Sequence, residues 1–218
     1  MTQHALATLL FLLAAASPTP VRAASTEAPV QELKNRVDRA VQVMTDPAVK
    51  GPSKVSERRA RVRKIADEIF DFPEMAKRSL GVHWQEVAGN DRERFVQLFS
   101  DLLDRAYFEK IDSYNGEKVT YLPSKVEGDQ ATVSTRVVTE KGTDIPVEYR
   151  MRQGGGRWMV YDVIIEGVSL VSNYRAQFDR IIRTASVGDL LKRMEAQASG
   201  QASPAGAEPK KPRGAGRE

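Results

Sequence analysis

Apolar positions recur every three or four residues from 30 to 107, alternate with polar ones from 119 to 165, and return to helical spacing beyond 168. Val30, Leu33, Val37, Val41 and Met44 make one stripe along a first helix. Asp46-Pro47 and Gly51-Pro52 close it and form a loop. Ser53 is the expected cap of a second helix whose inner face carries Val55, Val62, Ile65 and Ile69. A short helix over 74–79 follows Pro73 and stops at Gly81. Asn90 or Asp91 caps the next, which presents Phe95, Leu98, Phe99, Leu102, Leu103 and Tyr107.

The middle of the chain has the period of strands. Val119 and Tyr121 alternate with Thr120 and Leu122. Gly128-Asp129 turns the chain into a strand with Ala131, Val133, Thr135 and Val137 on one face. After Gly142, Ile145, Val147, Tyr149 and Met151 share the next apolar face. Gly154-Gly155-Gly156 is a hairpin turn, and 158–165 is a fourth strand, apolar on both faces. Closing helices are expected over 168–184 and 187–197. Helices, then hairpin-linked strands, then helices predict an α+β domain: a curved antiparallel four-stranded sheet covered on one face by helices. The order resembles the cystatin-like and nuclear-transport-factor-like folds, a cone that encloses an apolar cavity. Such a fold does not by itself give a function.

The two ends read differently. Residues 5–16 are an apolar run of twelve broken only by Thr8, too short for a bilayer span of about 20 residues. Val21-Arg22-Ala23 follows with a signal-peptidase pattern, so residues 1–23 read as a cleaved signal peptide. The segment before the run has no Lys or Arg, only the Met1 amine and His4. Residues 24–197 then form one domain. Residues 198–218 hold no large apolar side chain and are expected to be a disordered tail. The chain has no cysteine, which removes disulfides, thiol nucleophiles, thiolate metal sites and N-terminal cysteine lipidation. The net charge of +4 is mildly basic and a weak argument for nucleic acid.

Candidate chemistry is sparse. His83 is the only histidine after the signal segment, which leaves no two-histidine metal site, and no cofactor is expected. The triple glycine joins two strands and is no phosphate loop. Asp162, inside an apolar strand, is the one candidate general base. The competing reading pairs it with an arginine or a backbone N–H. The basic run Lys50, Lys54, Arg58, Arg59, Arg61, Arg63 and Lys64 reads either as a solvated helix face or as a docking surface for an acidic partner or anionic head groups.

Several segments occur together in an informative order. They are Phe70-Asp71-Phe72, Met75-Ala76, Leu80-Gly81, Trp84, the helix from Arg94-Phe95 to Tyr107, and WMVYDVIIEGVSL from Trp158 to Leu170 followed by Asn173-Tyr174-Arg175. Together they resemble the MlaC family, also called the toluene-tolerance or Ttg2 auxiliary family, over about residues 30–197. The resemblance implies a periplasmic phospholipid-binding shuttle that maintains outer-membrane lipid asymmetry. Its implied partners are phospholipid, an inner-membrane ABC transporter with its substrate-binding ring, and an outer-membrane lipoprotein–porin complex. Membrane contact would be transient. A hopanoid or other apolar cargo, or an enzyme on the same fold using Asp162, are the alternatives.

The apolar pattern bears on that reading independently. Two acyl chains of about fifteen methylenes each, at about 0.8 kcal/mol per methylene, cost about 24 kcal/mol to expose. Only a deep apolar cavity offsets that. The candidate lining is Val119, Tyr121, Val133, Val137, Val147, Tyr149 and Met151 on the sheet, opposite Leu98, Leu102, Tyr107, Val168 and Val171 on the helices. The same residues fit a filled core, and pattern alone does not separate the two.

Overall fold

The computed structural model describes residues 27–200. The expected signal peptide and residues 201–218 of the expected tail lie outside the described residues. Four helices come first: α1 (Ala28–Thr45), α2 (Val55–Ile69), α3 (Phe72–Leu80) and α4 (Gly89–Asp112). Six strands follow: β1 (Lys118–Tyr121), β2 (Lys125–Glu127), β3 (Gln130–Val138), β4 (Asp144–Gly154), β5 (Arg157–Ile165) and β6 (Val168–Ser169). Helices α5 (Leu170–Thr184) and α6 (Val187–Ala198) close the described chain.

The local chemistry explains most of the ends. Asp71 caps α3 by accepting from the Glu74 N–H at 3.0 Å, and Pro73 fits the first turn, where no N–H is needed. Gly81, at φ 57°, ends that helix in a conformation glycine adopts without strain. Ser169 caps α5 and Ser186 caps α6. Ser53 does not cap α2. It lies in a tight 3-10 turn over Pro52–Lys54, and Lys54 holds the cap position without a side-chain bond.

The sheet is antiparallel and has six strands where the alternation predicts four. Both additional strands have a physical origin. Pro123 interrupts the first strand, because it lacks the N–H that a ladder requires. The two pieces, β1 and β2, pair with different stretches of β3. At the other edge, Glu166 and Gly167 both have positive φ and turn the chain back on itself, so Val168 pairs with Ile165 instead of opening a helix.

Register places one apolar face in rows across the sheet. Tyr121, Thr135, Val147 and Ile165 form one row; Val133, Tyr149 and Val163 form the next. A bulge between β4 and β5 leaves Tyr161 as the extra residue, since Arg150 faces Asp162 and Met151 faces Val160. Val160 and Tyr161 therefore serve different cores. Val160 joins Leu33, Ile65, Ile69, Val133 and Trp158 beneath α1 and α2. Tyr161 joins the second core, built by α3 to α6 around Phe95, Phe99, Tyr174 and Phe178. Phe99 meets Tyr174 edge-on at 5.4 Å, and Phe95 meets Phe178 edge-on at 5.6 Å. Phe70, between α2 and α3, packs on both cores.

Candidate functional site

Where the two cores meet, the packing leaves an apolar pocket of about 380 Å³. Its floor is the sheet, through Val147, Tyr149, Val163 and Ile165. Val62 and Ala66 of α2 form one wall, and Leu103 and Tyr107 of α4 form another. Phe70, Phe72, Met75 and Leu170 complete the lining from the α2–α3 junction, α3 and the start of α5.

The junction shows why the two phenylalanines stand where they do. The Asp71 backbone N–H donates to the Val160 carbonyl at 2.8 Å, which joins the turn to β5. Its carboxylate caps α3 and accepts from Arg152 Nε at 2.7 Å. Asp71 is thereby fixed to the sheet. Phe70 and Phe72 on either side of it turn into the pocket, with ring centres 5.8 Å apart.

Only Arg63, Ser100 and Asp104 interrupt the apolar lining. They belong to a polar strip between α2 and α4. Arg59 donates to Asp104 Oδ2 through Nε at 2.9 Å and through its terminal nitrogen at 2.7 Å. Arg63 donates to Asp67 at 3.1 Å, to Asp101 at 3.4 Å and to the Ser100 hydroxyl, and lies 5.5 Å from the centre of the Phe72 ring. The tyrosines in the lining stay neutral. Burial pushes Tyr107 up to about 12 and raises Tyr149 as well.

Of the residues expected to line a cavity, the structure brings Tyr107, Val147 and Tyr149 to this pocket. Leu98, Leu102 and Val171 pack within the helical core. Val133 and Met151 lie in the sheet core, with Tyr121 half-buried against it. Val119 and Val137 pair with each other and are half-buried, and Val168 is exposed. The rest of the lining includes Val62 and Leu103, which helical spacing places on inner faces, and Phe70, Phe72 and Met75, which it does not. For Phe70, Phe72 and Met75 the available signal was the FDF..MA segment, apolar positions around a capping aspartate.

Asp162 is 3% exposed and already occupied. It accepts from the Ser169 hydroxyl at 2.7 Å and the Val171 N–H at 3.0 Å, and lies 3.7 Å from Arg150. This is the arginine-and-backbone pairing set against the general-base reading; it ties α5 to the sheet. His83 bridges Glu86 at 3.1 Å and Asp179 at 3.0 Å. The basic run forms no single face: Arg58 is buried against the Val49 carbonyl, Lys54 and Arg61 pair with Glu57, and Arg59 and Arg63 reach α4. Among the described residues, no helix is long and apolar enough to cross a membrane, and no cluster of three or more candidate ligands could hold a metal ion.

Comparison with known proteins gives a consistent set of likenesses. The family model described as MlaC protein matches residues 34–196. The intermembrane phospholipid transport system binding protein MlaC of Haemophilus influenzae is 26% identical over 125 residues, covering 55% of this chain and 58% of that protein. Toluene tolerance protein ttg2D of Pseudomonas putida is 28% identical over 119 residues, covering 54% and 55%. The chain thus spans little more than half the length of these curated relatives. A phospholipid-binding protein from Ralstonia solanacearum, solved in complex with a phospholipid, superposes with a TM-score of 0.69 at 24% identity, over 83% of this chain and 100% of that one. That likeness establishes the fold.

Proposed function

The chain belongs to the MlaC family, and from that premise we propose that it is a periplasmic phospholipid carrier serving an intermembrane lipid transport system. The observation that carries this reading is the apolar pocket at the seam between two separately packed cores. A lipid carrier needs an apolar space that water does not fill favourably, and it needs that space to open. A pocket inside one jigsaw-packed core would resist opening. At a seam, the walls belong to two bodies, and parting them breaks fewer contacts.

The volume is small for a whole lipid. At about 380 Å³ the pocket is at the low end of ligand cavities, which run from about 300 to about 1,000 Å³. It has room for part of a diacyl lipid, so full loading requires the sheet and the helical core to part. The cone reading fits the same picture: a sheet forms the floor and helices close the mouth. Cleavage after Ala23 would free the carrier from its apolar leader, and exchange would take place with an inner-membrane ABC transporter's binding ring and an outer-membrane lipoprotein–porin complex. Neither nucleotide nor metal is needed in such a shuttle. Direction comes from the partners, because a lipid moving from bilayer to pocket exchanges one apolar surrounding for another.

Organic extraction of the purified protein, followed by mass spectrometry of the extract, tests the reading. A glycerophospholipid recovered in stoichiometric amount is the expected result. A protein that is empty as purified and stays empty after incubation with phospholipid vesicles would overturn it.

A further inference from the structure

We propose that the strip between α2 and α4 is a head-group subsite that selects zwitterionic phospholipids over anionic ones; this rests on the carrier reading above. The pocket is apolar except along this strip, through Arg63, Ser100 and Asp104. The strip also reaches solvent. Arg63 and Asp104 keep 24% and 22% of their side chains exposed, and Asp67 beside them keeps 53%. A lipid whose chains fill the pocket must leave its head group at a polar, solvated edge, because an unpaired polar group in the apolar interior is costly.

The charges at that edge determine which head group fits. Two arginines, Arg59 and Arg63, face three carboxylates, Asp67, Asp101 and Asp104, and each carboxylate is paired with an arginine. The strip therefore has one net negative charge. A phosphate can take the Arg63 guanidinium, which suits it in shape and donor number. To do so it must displace an aspartate. With an uncharged polyol beyond the phosphate, the displaced carboxylate is left beside another anion. With an ammonium beyond the phosphate, Asp101 or Asp104 regains a cation, and the number of ion pairs is conserved. Phosphate on Arg63 and ammonium on Asp101 or Asp104 is the arrangement the strip accommodates.

The test is a loading competition. Delipidated protein is incubated with vesicles of equal phosphatidylethanolamine and phosphatidylglycerol, re-isolated, and its cargo read by native mass spectrometry. The unaltered chain is expected to carry several-fold more phosphatidylethanolamine. Asp101→Asn combined with Asp104→Asn leaves the strip net positive and is expected to move the ratio several-fold toward phosphatidylglycerol. A purely structural role for these carboxylates would change stability and leave the ratio where it was. Asp67→Asn, at the most exposed of the three, is expected to move the ratio the same way by less, and it decides the matter if the double variant does not fold. Equal loading by the unaltered chain, or a ratio that the folded variants leave unchanged, overturns the subsite. A protein that takes up neither lipid overturns the carrier reading itself.

Discussion

His83 stands between two carboxylates, with Nε2 at 3.0 Å from Asp179 and Nδ1 at 3.1 Å from Glu86. Both are acceptors, so both ring nitrogens are best satisfied when both carry hydrogen, which is the charged form. The bond to Asp179 chiefly, and then that to Glu86, raise His83 above the ordinary histidine value of 6.5, against the opposing effect of burial. Arg183 shares Asp179 at 2.8 Å, and His83 and Arg183 together hold that carboxylate below its usual range. A raised folded value means that the contribution to stability is fully present below about pH 6.5 and is lost as pH rises through the folded value. Urea unfolding from about pH 5.5 to about pH 8.5 should therefore show a falling limb, and His83→Ala should flatten it. A limb of equal size in the variant would assign the pH dependence elsewhere. At this scale the sequence indicated the kind of partner Asp162 takes, an arginine and a backbone N–H, but not which residues supply them. Asp162 stood out as a polar residue in an apolar strand, but its partners Ser169 and Val171 lie across a turn that alternation does not reveal.

That turn is the clearest case at the level of elements. Glu166 and Gly167 connect β5 to β6, with Ile165 paired to Val168 around them. Two central residues with positive φ are the geometry of the type I′ hairpin, for which Asn-Gly is the preferred pair. Glu166 adopts φ 50° without glycine's freedom, and it is exposed. Its left-handed conformation costs about 1 kcal/mol, which asparagine largely avoids. Glu166→Asn should accordingly stabilise the fold by about 0.5–1 kcal/mol in urea unfolding, and no gain would mean that the Glu166 side chain compensates its own backbone. Helix periods and hairpin glycines were legible because each follows from a local repeat or a single residue's φ. Pro123 dividing β1 from β2, and the two-residue β6, were not. Strands of two or three residues are too short to show a period. The bulge at Tyr161 was hidden for a related reason: β5 is apolar on both faces, so its sequence looks the same with or without an extra residue.

For the whole molecule, the central fact is that two cores share one sheet and leave a space between them. Of the candidate lining residues, Tyr107, Val147 and Tyr149 reach this space, and Val62 and Leu103, read from helical spacing as inner-face residues, join them. Leu102 and Leu103 both pack in the helical core, and Leu103 alone of the two also lines the pocket, a difference between adjacent apolar residues that only the packed helix makes. Filling the space tests whether it is the lipid site. Ala66 lies on the α2 wall, half-buried and next to the pocket's volume. Ala66→Phe would project a ring into that volume, where it replaces lipid as the apolar filler. One acyl chain of about fifteen methylenes gains about 12 kcal/mol from leaving water, and the ring denies it part of that burial. The lipid-free variant should melt no lower than the lipid-free parent, because the ring fills space already empty. Its extract should contain little lipid, and vesicles should raise its melting temperature less than they raise the parent's, since only a ligand bound to the folded state stabilises it. A folded Ala66→Phe protein that still carries lipid at the parental level would show that the chains lie elsewhere. If it loses lipid while keeping its stability, the seam between the cores is the site.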